Sequence, residues 1–431
     1  MTGGPKAWEA ILAGCAQAFT APSYQMFCEL ISAWVLCPAR RTLTAMIPLA
    51  DPKGRRAHDS YHRFLRAGVW AMAKLWQMLA MAATCALCQR GAIVMDLDDT
   101  LFHKSGRKVE GAAIFRDAVR SKASSVVYAL GLNLVVITLR VIPPWGGQPL
   151  GLPINMRLYR KGEGTTHIEL ATEMIAEIAS WLPDRSFVVC CDGAYASLAG
   201  APGARTQVVS RMRRDAALYE AAPPPTGRRG RPRKKGARLD CPQRMASTTR
   251  KGWVEATIDV RGKPVERLLL ARKVLWYAVR PDALVQLVVA RDPQGKQPDD
   301  FFFSTDTDAS PASVASCYAG RWSIEVTFRD VKQHLGGEQP QSWKHKGPER
   351  ACALSLWLYT AVWLWYIQTQ GAKPSWPKRP WYPLKRTPSF IDARAALRRA
   401  LWSSRFFATA HAPPLARKIR KVLIDVLARA A

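Results

Sequence analysis

The chain is short of negative charge. Its 33 Asp and Glu face 63 Lys and Arg, a formal net charge of +30 over 431 residues, and the pI is near 10.2. So lopsided a charge repels itself unless a polyanion shares the space, so nucleic acid is the expected partner. Long uninterrupted apolar runs are missing as well. The run from Gly68 to Cys88 carries Lys74 and Gln77, and Ala351 to Tyr366 is short for a bilayer, so both read as core helices and no membrane partner is expected. The start, Met-Thr-Gly-Gly-Pro-Lys, lacks the basic-then-apolar order of a secretory leader. Ten cysteines in a chain this long do not make a disulfide scaffold. Cys85-Ala-Leu-Cys88 has no second Cys/His pair to complete a zinc site and reads as buried thiols, as do Cys190 and Cys191. A reducing cytoplasm fits that usage. A phosphate-cradling Gly-rich loop and internal repeats are absent too, which excludes a nucleotide cofactor of that type and a solenoid.

What is present is a folded chain: 48% apolar, with 16 Trp. Its length suits two to four domains. Residues 1–88 have apolar residues at helical spacing and read as a small all-α domain, for DNA-end recognition or as a packing layer. From Ala92 the texture changes. Ile93-Val-Met95 runs into Asp96-Leu-Asp98-Asp-Thr100, a strand ending in acids. Leu134–Thr138 is a second strand, Thr166–Trp181 an amphipathic helix, and Ser186–Cys191 a third strand ending at Asp192. That order predicts a mixed α/β sheet with flanking helices over 89–214.

Residues 205–238 hold eleven Lys/Arg against Asp215 and Glu220, with Pro223-Pro-Pro225 and several glycines, and are expected to lack regular structure. Alternation from Trp253 to Ala290 predicts a β-rich insertion, placed with the basic loop at 215–300. Trp253 and Trp276 suit packing within it better than stacking on an unpaired base. Residues 301–345 return to the core, with Ser310 as N-cap, Pro311 at the first helical position and Gly336-Gly337 as the stop. Residues 346–431 form a basic helical tail; from 373 onward fourteen Lys/Arg oppose Asp392 and Asp425.

The most informative stretch is Tyr318-Ala-Gly-Arg321-Trp-Ser-Ile-Glu325, followed by Lys332. At about 100° per residue, Tyr318, Arg321, Glu325 and Lys332 fall within roughly 60° on one helix. Beside them runs the apolar stripe Ile324, Phe328, Val331, Leu335. A lone acid among cations suits a metal acting on a phosphodiester, whereas an ordinary surface Glu–Lys pair is the plainer reading. Gly320 is placed to break the helix and set Tyr318 apart. Three acids then stand out: Asp98 and Asp192 at strand ends and Glu325 on the helix. Asp96 and Asp99 compete with Asp98, and strand alternation puts Asp99 on the opposite face.

The Tyr–Arg–Glu–Lys spacing, within Arg321-Trp-Ser-Ile-Glu-Val-Thr-Phe-Arg-Asp-Val-Lys-Gln-His-Leu-Gly336, resembles the signature of bacterial insertion-sequence transposases of the DDE type. The resemblance covers roughly Ala92 to Trp343. It implies an RNase H-like catalytic core of the β-insertion subclass, since 133 residues separate Asp192 from Glu325. It implies that Asp98, Asp192 and Glu325 are catalytic and bind two Mg²⁺ ions, with Mn²⁺ as an alternative. Tyr318, Arg321 and Lys332 would contact phosphates of double-stranded DNA, at transposon ends and target, in a homodimer on DNA. Arg229-Gly-Arg231-Pro-Arg233 resembles an AT-hook, so those arginines are candidate DNA contacts, whether in the minor groove or on phosphates. A rival lies in Ile93-Val-Met-Asp96-Leu-Asp98-Asp-Thr100, which resembles the first motif of haloacid-dehalogenase-type phosphatases and implies Asp96 as nucleophile and Asp98 as general acid/base. A DNA-binding derivative without catalysis is the remaining alternative.

Overall fold

A computed structural model describes residues 4–122, 124–224, 232–377, 379–406 and 414–430. The described chain opens with helices α1 (Gly4–Ala13), α2 (Ala21–Leu36), α3 (Leu43–Ala50), α4 (His58–Ala67) and α5 (Met72–Leu87). Their large apolar side chains point inward, and Trp8, Phe27, Trp34, Tyr61, Phe64 and Trp76 belong to the same buried cluster as the sheet. These helices therefore form a packing layer on the α/β core. Cys85, expected to be buried, is exposed instead. The α5 stripe Leu75, Trp76, Leu79, Ala80 and Ala83 takes the inner face and leaves position 85 outside. Cys190 and Cys191 are buried, as expected.

The sheet begins with β1 (Ile93–His103), β2 (Ala113–Arg116), β3 (Tyr128–Val141) and β4 (Leu150–Tyr159). Helix α6 (His167–Trp181), fixed at its start by a Thr166/Glu169 capping box, leads to β5 (Phe187–Cys191) and then β6 (Thr206–Arg211). β3 pairs antiparallel with β1 and with β4, while β5 runs parallel to β1 and β6 parallel to β5. The order β4-β3-β1-β5-β6, with β1 central, is the RNase H-like mixed sheet. Two boundaries differ from expectation. β1 does not stop at the acids but continues to His103, because β3 goes on pairing with it after β5 has ended. And 206–211, expected to be irregular, is a strand, because Thr206-Gln-Val-Val-Ser-Arg211 alternates buried and exposed at its start and finds β5 and β10 on either side.

After α7 (Pro242–Thr248), the expected β-rich region supplies β7 (Val254–Val260), β8 (Lys263–Val274), β9 (Val285–Arg291) and β10 (Asp300–Ser304). These strands continue the core sheet: β10 pairs with β6, then β9, β8 and β7 follow antiparallel, giving ten strands in one sheet. Trp276 is buried edge-on to Phe303, and Trp253 lies under Arg291, so both pack.

Helices α8 (Pro311–Gly320) and α9 (Trp322–His334) follow, with Ser310 capping α8 as expected. α10 (Gly347–Gln370) is buried from Ala351 to Ile367 and forms the axis on which the N-terminal helices and β4 pack. α11 (Phe390–Phe406) and α12 (Pro414–Arg429) close the chain. Among the described residues no helix is long and apolar enough to cross a membrane. Buried arginines tie the layers together by capping helix ends: Arg350 donates to the carbonyls of Leu65 and Gly68 at the end of α4, and Arg398 donates to those of Val35 and Cys37 at the end of α2.

Candidate active site

The site is set by strand register. In the parallel pair β1–β5, Leu97 stands opposite Cys191. The next residues, Asp98 within β1 and Asp192 just past the end of β5, therefore stand at one level, strands being about 4.8 Å apart. Period-2 alternation puts Asp98 on the face of Asp96, and Asp192 on that of Cys190. Both faces lie under α8 and α9, since Asp96 accepts from Ser323 Oγ at 2.8 Å and Cys190 Sγ donates to the Cys317 carbonyl at 3.5 Å.

Arg321 joins two of the three acids. Nη1 donates to Asp98 Oδ2 at 2.6 Å and Nη2 to Glu325 Oε1 at 2.9 Å; Nε is buried without a partner. The helix does break here, as Gly320 suggested: α8 ends, Arg321 occupies the junction, and α9 restarts at Trp322. Arg140 is the reason: its Nη1 takes the Cys317 carbonyl at 2.7 Å, so the Arg321 amide bonds Tyr318 instead, and a Cβ at position 320 would lie 2.6 Å from that nitrogen. Tyr318 thus sits on the preceding helix, its ring tilted against Phe302 at 4.6 Å and 5.6 Å from the Arg321 guanidinium. Lys332 lies two turns along α9 from Glu325 and donates to the Leu101 carbonyl at 2.8 Å, towards the far end of β1.

Burial pushes the Asp98 carboxyl up to about 7, against the pull of Arg321 and with the help of Asp99 and Asp192. Asp192 also caps the 3-10 turn Gly193–Gly200, its Oδ1 accepting from the Gly193 amide, so it is a turn former as well as a candidate ligand. Asp99 points to the other face, where Asn133 Nδ2 donates at 3.0 Å and Tyr195 OH at 3.3 Å. Asp96 is fully buried and its carboxylate is taken up by Arg140 and Ser323. That leaves no open face for a nucleophile, and nothing in the site favours the phosphatase alternative.

Arg140 was not singled out in the sequence. The signal was there: one cation inside the buried strand Leu134–Val141 must find a buried acid, and Asp96 faces it across the β1–β3 pair. Of the AT-hook-like arginines, Arg229 and Arg231 lie outside the described residues, and Arg233 is exposed.

Among the described residues no three His, Cys, Asp or Glu side chains are gathered closely enough to hold a metal ion. Arg321 is seated between Asp98 and Glu325. The donor set nevertheless fits a hard divalent cation, being all carboxylate oxygen. The partnerless Arg321 Nε marks a seat that suits the guanidinium only in part.

Asp98 within β1 and Asp192 just past β5 thus share a level on neighbouring central strands of an RNase H-like sheet, with the helix-borne Glu325 joined to Asp98 through Arg321. The sequence pattern of the family described as DDE superfamily endonuclease matches residues 17–265, more than half of the chain, and the protein belongs to that family. The match takes in helices α2 to α5 as well as Asp98 and Asp192, and ends before Glu325. No curated protein matches the chain with significance. Family membership supports a transposase or nuclease role with DNA as the substrate.

Proposed function

We propose that this protein is a transposase that cuts DNA at the ends of a mobile element and joins the exposed 3′-hydroxyl to target DNA. The observation that carries this reading is the shared level of Asp98 and Asp192 on adjacent parallel strands, with Glu325 tied to the same point through Arg321. Asp98, Asp192 and Glu325 would hold two Mg²⁺ ions, or Mn²⁺, which supply Lewis acidity and an activated water when bound. For that, Arg321 leaves its seat between the acids and turns its guanidinium to a DNA phosphate, a planar partner for which arginine is suited. Tyr318, beside Arg321, orients the same phosphate, and Lys332 and Arg233, with Arg229 and Arg231, contact the backbone further out. The net charge of +30 supports a long duplex contact. Pairing of two copies on DNA, a cytoplasmic location and DNA-end recognition by the N-terminal helices belong to the same reading.

The test is incubation of the protein and Mg²⁺ with DNA carrying the element's flanking repeats, followed by mapping of nicks and joined products. Nicks at the repeat ends with joining are expected. Cleavage that persists in Asp192→Ala or Glu325→Ala would overturn the assignment.

A further inference from the structure

We infer that the cavity between the outer face of α9, α10 and the segment 379–389 is a binding site for an unpaired nucleotide. It encloses about 880 Å³ and opens onto α9 at Val326, Arg329 and His334. Arg329 lies one helical turn from Glu325, about 6 Å along the axis. The cavity therefore begins beside the catalytic cleft but is lined by different residues.

Two features define the ligand class. The first is charge. Five cations line the cavity (Arg329, Arg379, Lys385, Arg394 and Arg429) against Asp330 and Asp392. Arg329 pairs with Asp330 and Lys385 with Asp392, which leaves Arg379, Arg394 and Arg429 without a carboxylate among the described residues. Arg394 is only 6% exposed; its Nη1 donates to the His334 carbonyl, but its Nε has no hydrogen-bond partner. Burial and the nearby Arg41 guanidinium push Arg394 down to about 10. Arg41 is itself 5% exposed, with Nε and Nη2 unpartnered. Buried cations left in this state call for an anion.

The second feature is an aromatic wall. Trp145 and the buried Trp363, with ring centroids 6.1 Å apart, are among the lining residues. So are Trp381 and Tyr382, which are 76% and 55% exposed, with the Arg379 guanidinium 5.6 Å from the Trp381 ring. Exposed rings beside guanidinium groups are the chemistry that stacks a base and holds its phosphate. A base within a duplex offers no free face, so the ligand is an unpaired nucleotide, either in a DNA strand or free. The strand source rests on the nuclease reading above; the site itself does not.

The experiment uses the full chain in EDTA, so that no strand is cut. Anisotropy is measured with a labelled single-stranded oligonucleotide and with the duplex of the same sequence, and calorimetry with dAMP. Trp381→Ala and Arg429→Ala are each expected to weaken the single strand about fivefold or more while changing duplex affinity by less than about twofold, with unchanged thermal melting. Binding of dAMP that is lost in the same variants also supports the site and identifies the ligand as a free nucleotide; its absence, with the single-strand effect present, assigns the ligand to a DNA strand. Equal weakening of both DNAs, or no change in either together with no variant-sensitive dAMP binding, would overturn the proposal. Because no cleavage is read, failure here leaves the nuclease assignment standing, and failed cleavage leaves this one standing.

Discussion

Arg321 reaches Asp98, 223 residues earlier in the chain, with a 2.6 Å charge-assisted hydrogen bond, and holds Glu325 with its other terminal nitrogen. A single guanidinium thus neutralises two of the three acids expected to act on the phosphodiester. Removing it exposes them to any other cation. In the absence of DNA, Arg321→Ala should bind Mg²⁺ or Mn²⁺ about tenfold more tightly, which corresponds to about 1.4 kcal/mol. DNA cleavage by the same variant should fall. Metal titration by calorimetry and a nicking assay check the two halves, and unchanged metal affinity would mean that the guanidinium does not compete.

The acids themselves give a simpler expectation. Asp98→Ala, Asp192→Ala and Glu325→Ala should each lower the cleavage rate by about 10³-fold or more, with DNA affinity within about twofold of the parent. Nick mapping and a gel-shift titration measure both. Asp192→Ala should also loosen the 3-10 turn that it caps, at about 1 kcal/mol.

Asp96 serves the fold. Asp96→Ala leaves Arg140 buried without its carboxylate and should cost about 3–5 kcal/mol, read by chemical denaturation. Asp96→Ala combined with Arg140→Met should recover much of that loss. The parent protein should not hydrolyse a small phosphate ester, which is the activity the phosphatase alternative demands.

His334 makes stability depend on pH. Burial, then the guanidinium groups of Arg394, Arg329 and Arg41, push it down to about 4. Asp330 Oδ1 is 3.9 Å away, too far for a hydrogen bond, and is itself held by Arg329. The unfolded chain therefore binds a proton on His334 that the folded chain refuses. Stability is full above the ordinary histidine value and falls as pH drops towards 4, by about 1–2 kcal/mol between pH 7 and pH 5. His334→Gln should flatten that part of the profile in denaturant melts.

Binding to duplex DNA should weaken steeply with salt, by about 10³-fold or more between 50 and 200 mM if six or more phosphates are engaged. A flat response in a gel-shift series would count against the long basic contact.

Much of this was legible in the residues. Asp192 could be placed because an apolar run, Phe187–Cys191, ends at it, and Ser310-Pro311 announced α8 through cap chemistry. The break at Gly320 was readable as a weak point, but its cause was not, since the Arg140 side chain comes from a strand 180 residues away. The extent of β1 was hidden because three acids interrupt its alternation, and only the long partner β3 sustains it. Arg321 was read as a DNA contact. That it rests between Asp98 and Glu325 depends on a tertiary approach that no local spacing encodes. The continuity of the inserted strands with the core was equally invisible, because pairing of β10 with β6 joins residues about 90 positions apart.

That last pairing has a mechanical consequence. With β10 bonded to β6 on one edge and β9 on the other, the outer hairpin is an eave and not a flap: it has no hinge on which to swing. Its overhang is set by the twist and number of strands, so its outer rim keeps a constant distance from the acids of the core. Lengthening or shortening β7 and β8 should therefore shift that rim without loosening the strands it hangs from.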